Sequence, residues 1–120
     1  MRVFGTGILK NFKAPFEFIE RDPKTNAFVV ITDEEKRRAI GKLISPVYHV
    51  TEKSPPTLIL HGDKDFLVPI QQAELVINKM KELKLPCELV VKPGAGHGWA
   101  DQLKDLKIFA DWFDKHLAKK

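Results

Sequence analysis

The sequence predicts an α/β fold with a parallel sheet, because strand-like and helix-like segments alternate from residue 57 onward. Residues 57–61 (TLILH) form a continuous apolar run without alternation, which is typical of a strand buried on both faces. A helical pattern, a second short strand and a last amphipathic helix follow in turn. This order implies parallel strands with helices packed against them.

Upstream of that unit the sequence is less regular. Residues 1–31 are rich in phenylalanine and contain two prolines, which favours a surface excursion or cap-like insert with one short strand at residues 27–31. A helix is predicted to open at Thr32, where Thr32 and Glu35 have the spacing of a capping box. It should end before Ser45, because the residue preceding a proline disfavours helical backbone.

Prolines also bound the elements downstream. A helix is predicted over about residues 70–85, since Pro69 suits its first turn and Pro86 cannot continue it. Residues 88–92 form the second strand, and the glycine-rich residues 93–98 form a loop. The last helix, at about residues 101–118, is expected to begin at a cap, Asp101, and to place three aromatic side chains in the helix–sheet core. These are Phe109, Trp112 and Phe113.

Length, charge and cysteine content exclude several classes of protein. The chain has 120 residues and a formal charge of +4, with lysines spread along helical segments rather than clustered as in a nucleic-acid-binding surface. It has no apolar run long enough to span a membrane and no pattern of a signal peptide, so a cytoplasmic protein is expected. Cys87, the one cysteine, excludes an internal disulfide and a cysteine-rich metal site.

Two polar loops follow the two predicted parallel strands. The first contains Asp63 and Asp65 in HGDKDFLVP, and the second contains His97 in GAGHGW. The carboxyl ends of neighbouring parallel strands lie at one edge of a sheet, so a carboxylate and an imidazole are expected to meet there. Either aspartate could be the partner, and both could instead cap their turn. His61 is interpreted as a hydrogen-bonded structural residue. Trp99 is interpreted as packing beside residues 93–98, the histidine loop.

The two motifs, HGDKDFLVP and GAGHGW, resemble the acid and histidine motifs of α/β-hydrolases, in the esterase and prolyl-oligopeptidase-like branch. The resemblance covers about residues 45–117. It implies the C-terminal portion of an α/β-hydrolase sheet, with two parallel strands and flanking helices behind an irregular cap-like segment. It further implies that Asp65 is the acid and His97 the general base of a catalytic triad. A small ester or peptide would be the substrate, without a cofactor or metal.

The nucleophile of that triad is missing from the pattern. The family places a serine in a G-x-S-x-G turn upstream of the acid, whereas the two serines here, Ser45 and Ser54, each precede a proline. We therefore interpret residues 1–120 as one partial domain, with a cap-like segment and helix over 1–44 and the acid- and histidine-bearing unit over 45–120. Alone it should be inactive, and it should self-associate through open sheet edges.

Two other interpretations stay open. The chain could be a non-catalytic interaction or ligand-binding protein on a hydrolase-derived scaffold. It could also be an enzyme in which Asp65 and His97 activate water or bind a metal, although the sequence offers only Asp63 as a further ligand.

Overall fold

Residues 17–117 are described by the computed structural model, in which the chain divides into two units after His49. The first unit begins with an antiparallel hairpin of β1 (Ile19–Arg21) and β2 (Phe28–Val30). Asp22 stabilises its turn, since Oδ1 accepts hydrogen bonds from the backbone N–H groups of Lys24 (2.7 Å) and Thr25 (3.1 Å). The predicted strand at residues 27–31 is thus present but shorter, and its partner β1 was not predicted. Strands of three residues are too short to show an alternating pattern.

Helix α1 (Glu34–Ile44) ends before Ser45, as predicted, but it does not begin as predicted. Asp33 is the N-cap, and its Oδ1 accepts from the backbone N–H of Lys36 at 2.6 Å. The prediction of a capping box formed by Thr32 and Glu35 is therefore wrong. With the cap one residue later, the third helical position is occupied by Lys36, which cannot reach back as a carboxylate would. A short 3₁₀ turn, Pro46–Tyr48, follows the helix.

The second unit contains the parallel sheet. Strand β3 (Thr57–Gly62) pairs with β4 (Cys87–Lys92) in a register that runs from Thr57 opposite Cys87 to Gly62 opposite Lys92. Both strands therefore end at the same level. Along the chain, β3 and β4 are connected by α2 (Gln71–Glu82). This helix packs against β4 and buries Ala73, Ile77 and Met80.

The last helical region starts with a 3₁₀ turn (Gln102–Asp105) that leads into α3 (Leu106–Leu117). Asp101 occupies the cap position of the turn without a side-chain cap hydrogen bond, so its predicted capping role is wrong. Phe109 is 36% exposed and Phe113 56% exposed, so they are not the core residues that we predicted. Periodicity shows which face of a helix is apolar but not what covers it. Trp112 is half-buried, with its ring 4.2 Å from that of His116.

The strands are less buried than the sequence pattern indicated. All residues of β3 from Thr57 to His61 are half-buried, because β3 has one neighbouring strand among the described residues. None of the helices between residues 17 and 117 is long and apolar enough to cross a membrane. Of the cap-like segment predicted over residues 1–44, residues 1–16 lie outside the described residues.

Candidate active site

Asp65 is held by backbone hydrogen bonds in the loop that follows β3. Its Oδ1 accepts hydrogen bonds from the backbone N–H groups of Leu67 (2.9 Å) and Val68 (2.8 Å), which closes a tight turn around the carboxylate. Its side chain is only 4% exposed. These contacts occupy one oxygen and leave Oδ2 for a partner outside the loop.

That partner is His97, in the loop that follows β4. Its Nδ1 lies 3.0 Å from Oδ2 of Asp65, which is a hydrogen-bond distance, so a carboxylate and an imidazole meet at this edge of the sheet as expected. The His97 side chain is 61% exposed, in contrast to the buried carboxylate. An ionised carboxylate only accepts hydrogen bonds, so the contact places a proton on Nδ1 and leaves Nε2 as the acceptor of a neutral ring.

The pKa of Asp65 lies below its usual value. Burial of the carboxyl group acts in the opposite direction and is the largest influence. It is outweighed by the hydrogen bonds from the Val68 amide, from His97 and from the Leu67 amide, together with the charge that His97 carries when protonated. Asp65 is therefore an anion at neutral pH, as an acceptor for the His97 ring must be.

A second imidazole, that of His61, contacts the same loop from the end of β3. Its Nε2 lies 2.8 Å from the carbonyl oxygen of Val68 and 3.4 Å from Oδ2 of Asp65. The shorter contact is a hydrogen bond in which His61 donates to Val68. This agrees with the structural role expected for His61, because the bond fixes the loop that carries Asp65.

Asp63, the other candidate acid, has a different partner. Its Oδ1 accepts from the backbone N–H of Gly94 at 2.6 Å, in the histidine loop. Gly94 has φ = 72°, a left-handed conformation that glycine adopts readily. The sequence left open that Asp63 caps its own turn, but its carboxylate instead joins the acid loop, which follows β3, to the histidine loop, which follows β4. Nearby, the N–H of Lys64 donates to the carbonyl of Ala95 at 2.9 Å and reinforces the connection.

Gly62 allows the two loops to approach each other. A Cβ atom built at this position would lie 2.2 Å from the carbonyl oxygen of Ala95 and 2.3 Å from that of Gly96. Both are backbone atoms and cannot turn away as a side chain could. The close approach of the loops thus requires glycine at position 62.

One polar cluster beside the histidine loop was not predicted. Asp105 is 5% exposed; its Oδ1 accepts from Nζ of Lys92 and its Oδ2 from Nε1 of Trp99, each at 2.7 Å. The hydrogen bond from Lys92, then that from Trp99, lowers the pKa of Asp105 against the opposing effect of burial. In the sequence Asp105 looks like an ordinary residue near a helix start, so no local signal indicates its burial.

Asp65 and His97 line a cavity of about 140 Å³, together with Val68 and Trp99 among others. Residues 17–117 contain no group of three or more His, Cys, Asp or Glu side chains placed to hold a metal ion. The cavity brings together the exposed imidazole, its anionic partner and an indole ring at the end of the sheet.

Solved structures with a similar fold define the class of protein. The chain is similar to a thermophilic esterase from Thermogutta terrifontis, with a TM-score of 0.61 and 29% identity, over 72% of this chain and 35% of that one. It is also similar to an acetyl ester-xyloside bifunctional hydrolase from Caldicellulosiruptor lactoaceticus, with a TM-score of 0.59 and 26% identity, over 64% of this chain and 30% of that one. The chain has a portion of the α/β-hydrolase fold.

The family follows from the sequence comparison. The model of the prolyl oligopeptidase family matches residues 25–120, and the chain belongs to that family. It is 34% identical to the uncharacterized peptidase YuxL of Bacillus subtilis (strain 168), over 61% of this chain and 12% of that protein. It is 34% identical to the esterase LipC of Mycobacterium tuberculosis, over 69% of this chain and 19% of that protein.

The chain therefore spans less than a fifth of these relatives and about a third of the solved hydrolases. The predicted fold class, a two-stranded parallel portion of an α/β-hydrolase sheet, is confirmed, as is the resemblance to esterases and prolyl-oligopeptidase-like enzymes. The catalytic roles of Asp65 and His97 stay predictions.

Proposed function

We propose that Asp65 and His97 are the acid and the general base of a serine hydrolase that cleaves carboxylic esters. The nucleophilic serine would come from a segment outside residues 1–120, so this chain alone would be inactive. The contact between His97 Nδ1 and Asp65 Oδ2, 3.0 Å long at the ends of two parallel strands, carries the proposal. Peptides are the second candidate substrate, since the chain is also 32% identical to the acylamino-acid-releasing enzyme 1 of rice, over 62% of this chain and 10% of that protein.

The geometry suits proton transfer. With its Nδ1 proton bound to the Asp65 carboxylate, the His97 ring presents Nε2 as a base that accepts the proton of an attacking serine hydroxyl. The buried carboxylate then stabilises the imidazolium, which returns the proton to the leaving group. The backbone bonds from Leu67 and Val68 keep the carboxylate from rotating during this cycle.

A non-catalytic protein on the same scaffold is the competing proposal. It would keep the loop contacts of Asp63 for structural reasons but would not need an exposed imidazole beside a buried carboxylate. The exposed His97 ring, 61% accessible over a carboxylate that is 4% exposed, favours the catalytic proposal.

The test starts from the coding sequence upstream of the Met1 codon, where we expect an in-frame G-x-S-x-G. The 120-residue chain should hydrolyse p-nitrophenyl acetate no faster than free imidazole, whereas the extended protein should hydrolyse it efficiently. In the extended protein, His97→Ala should lower kcat/KM on the order of 10³-fold or more, because the base is lost.

His49→Ala serves as the matched control, since the ring of His49 bonds to the carbonyl of Leu43 in the first unit. It should leave kcat/KM within about twofold of the unsubstituted protein. Fast turnover by the 120-residue chain that His97→Ala abolishes would show that a residue of this chain supplies the nucleophile. Unchanged turnover in the extended His97→Ala protein would reject the proposed role of His97.

A further inference from the structure

Asp105 is a buried carboxylate that the proposed triad does not use. It lies at the end of the 3₁₀ turn before α3 and is 5% exposed. Both of its oxygens are engaged at 2.7 Å, one by an ammonium group and one by an indole N–H. A buried carboxylate loses much of its hydration, and these charge-assisted hydrogen bonds replace it.

The two donors stand at the two ends of the histidine loop. Lys92 is the last residue of β4, and Trp99 comes two residues after His97. Asp105 therefore bridges the point where the loop leaves the sheet and the point where it turns into the last helical region. The Lys92 ammonium also lies 5.8 Å from the centre of the Trp99 ring, so the three side chains form one cluster.

The first residues of the histidine loop are hydrogen-bonded to the acid loop. Asp63 accepts from Gly94, and the N–H of Lys64 donates to Ala95. His97 comes after these attachments and immediately before the segment that Asp105 holds. The position of its ring thus depends on both ends of the loop, and the Trp99 ring lines the same cavity as the imidazole.

We infer that Asp105 is a positioning residue for His97: by joining Lys92 to Trp99 it closes the histidine loop and keeps Nδ1 on the Asp65 carboxylate. The inference rests on the proposed function, because it assigns Asp105 to the orientation of the proposed base. Asp105 has no contact with the reacting atoms in this scheme and acts only through the loop.

The test reads the tautomer of the His97 ring, which needs no nucleophile. In the ¹⁵N-labelled 120-residue chain, two-bond ¹H–¹⁵N correlation spectra at a pH where the ring is neutral report which nitrogen carries the proton. The Asp65 contact should give a ring protonated mainly on Nδ1. In Asp105→Asn the amide has one acceptor oxygen for two donors, so we expect the Nδ1–H fraction of His97 to fall at least twofold.

A second variant covers the case in which Asp105→Asn does not fold. Trp99→Phe keeps a smaller aromatic ring and removes the Nε1 donor of the indole, and it should also lower the Nδ1–H fraction. Two controls exclude a general effect. Asp101→Asn removes an exposed aspartate paired with Lys104 at 3.2 Å, and Ile77→Val weakens the core of α2 without touching the loop. Both should retain the tautomer of the unsubstituted chain.

The outcomes separate the inference from the proposed function. An unchanged Nδ1–H fraction in folded Asp105→Asn and Trp99→Phe would overturn the inference alone. So would an equal loss in Ile77→Val, since the effect would then reflect reduced stability. A His97 ring without the Nδ1 proton in the unsubstituted chain would remove the basis of the proposed function itself.

Discussion

Asp63 and Asp65 stand two positions apart in one loop, yet the structure gives them different partners. Asp65 turns inward to its own loop amides and to His97, whereas Asp63 reaches across to the backbone of Gly94. The first contact orients an imidazole, and the second holds together the loops that carry the acid and the imidazole. Side chains of the same type therefore contribute separately, one to the orientation of the imidazole and one to the spacing of the two loops.

At the same scale, Gly62→Ala should destabilise the second unit. Its Cβ would lie 2.2 Å from the carbonyl oxygen of Ala95, so the two loops must separate. We expect a loss of about 1–3 kcal/mol in the free energy of unfolding, as for overpacked sites. Urea denaturation followed by the fluorescence of Trp99 and Trp112, both in the second unit, measures the loss.

The matched control is Gly96→Ala, in the facing loop. There the nearest neighbour of a Cβ would be the carbonyl oxygen of Lys64 at 3.9 Å, which is ordinary van der Waals contact. Its effect should stay below about 1 kcal/mol. If the two variants unfold at the same urea concentration, the close approach of the loops does not restrict which residue position 62 can hold.

At the scale of elements, the register of β3 and β4 decides where the site forms. Because Gly62 lies opposite Lys92, the two strands end together and their loops start side by side. Helix α2 supports this arrangement by packing against β4, and Ile77 and Met80 are among its buried residues. A parallel pair with a shifted register would carry the same motifs without bringing Asp65 to His97.

Helix α1 provides a prediction about its start. Asp33→Ala removes the carboxylate that accepts from the Lys36 amide at 2.6 Å, and should destabilise the helix by about 1 kcal/mol. Thr32→Ala removes the residue that the sequence pattern favoured as the cap. It should change the stability of the helix by less than about 0.5 kcal/mol. Hydrogen exchange of the α1 amides measures both, and a larger effect of Thr32→Ala would restore the capping box.

At the scale of the whole molecule, apolar side chains remain uncovered in the second unit. Within residues 17–117, β3 and β4 pair only with each other, so each leaves one edge without a neighbouring strand. Several large apolar side chains there are more than half exposed. They are Phe66, Leu67, Leu103, Leu106, Phe113 and Leu117. Open strand edges and exposed apolar surface both favour association.

We therefore expect the 120-residue chain to self-associate. Light scattering after size exclusion should give a mass that rises with concentration above the 13.7 kDa of one chain. A dye that fluoresces on apolar surfaces should bind strongly to the dilute form and less to the associated form, because association covers the same side chains. A constant monomer mass at high concentration, with little dye bound, would contradict this expectation.

The sequence by itself determined the alternation of strands and helices, the end of α1 before Ser45, and the two loops that carry Asp65 and His97. These depend on signals within a few residues, such as prolines, apolar runs and glycine-rich motifs. Only the tertiary structure decided where Asp63 binds and that Asp105 joins Lys92 to Trp99. It also showed that Phe113 is exposed. These features depend on strand register and on contacts between distant parts of the chain, which local sequence patterns do not encode.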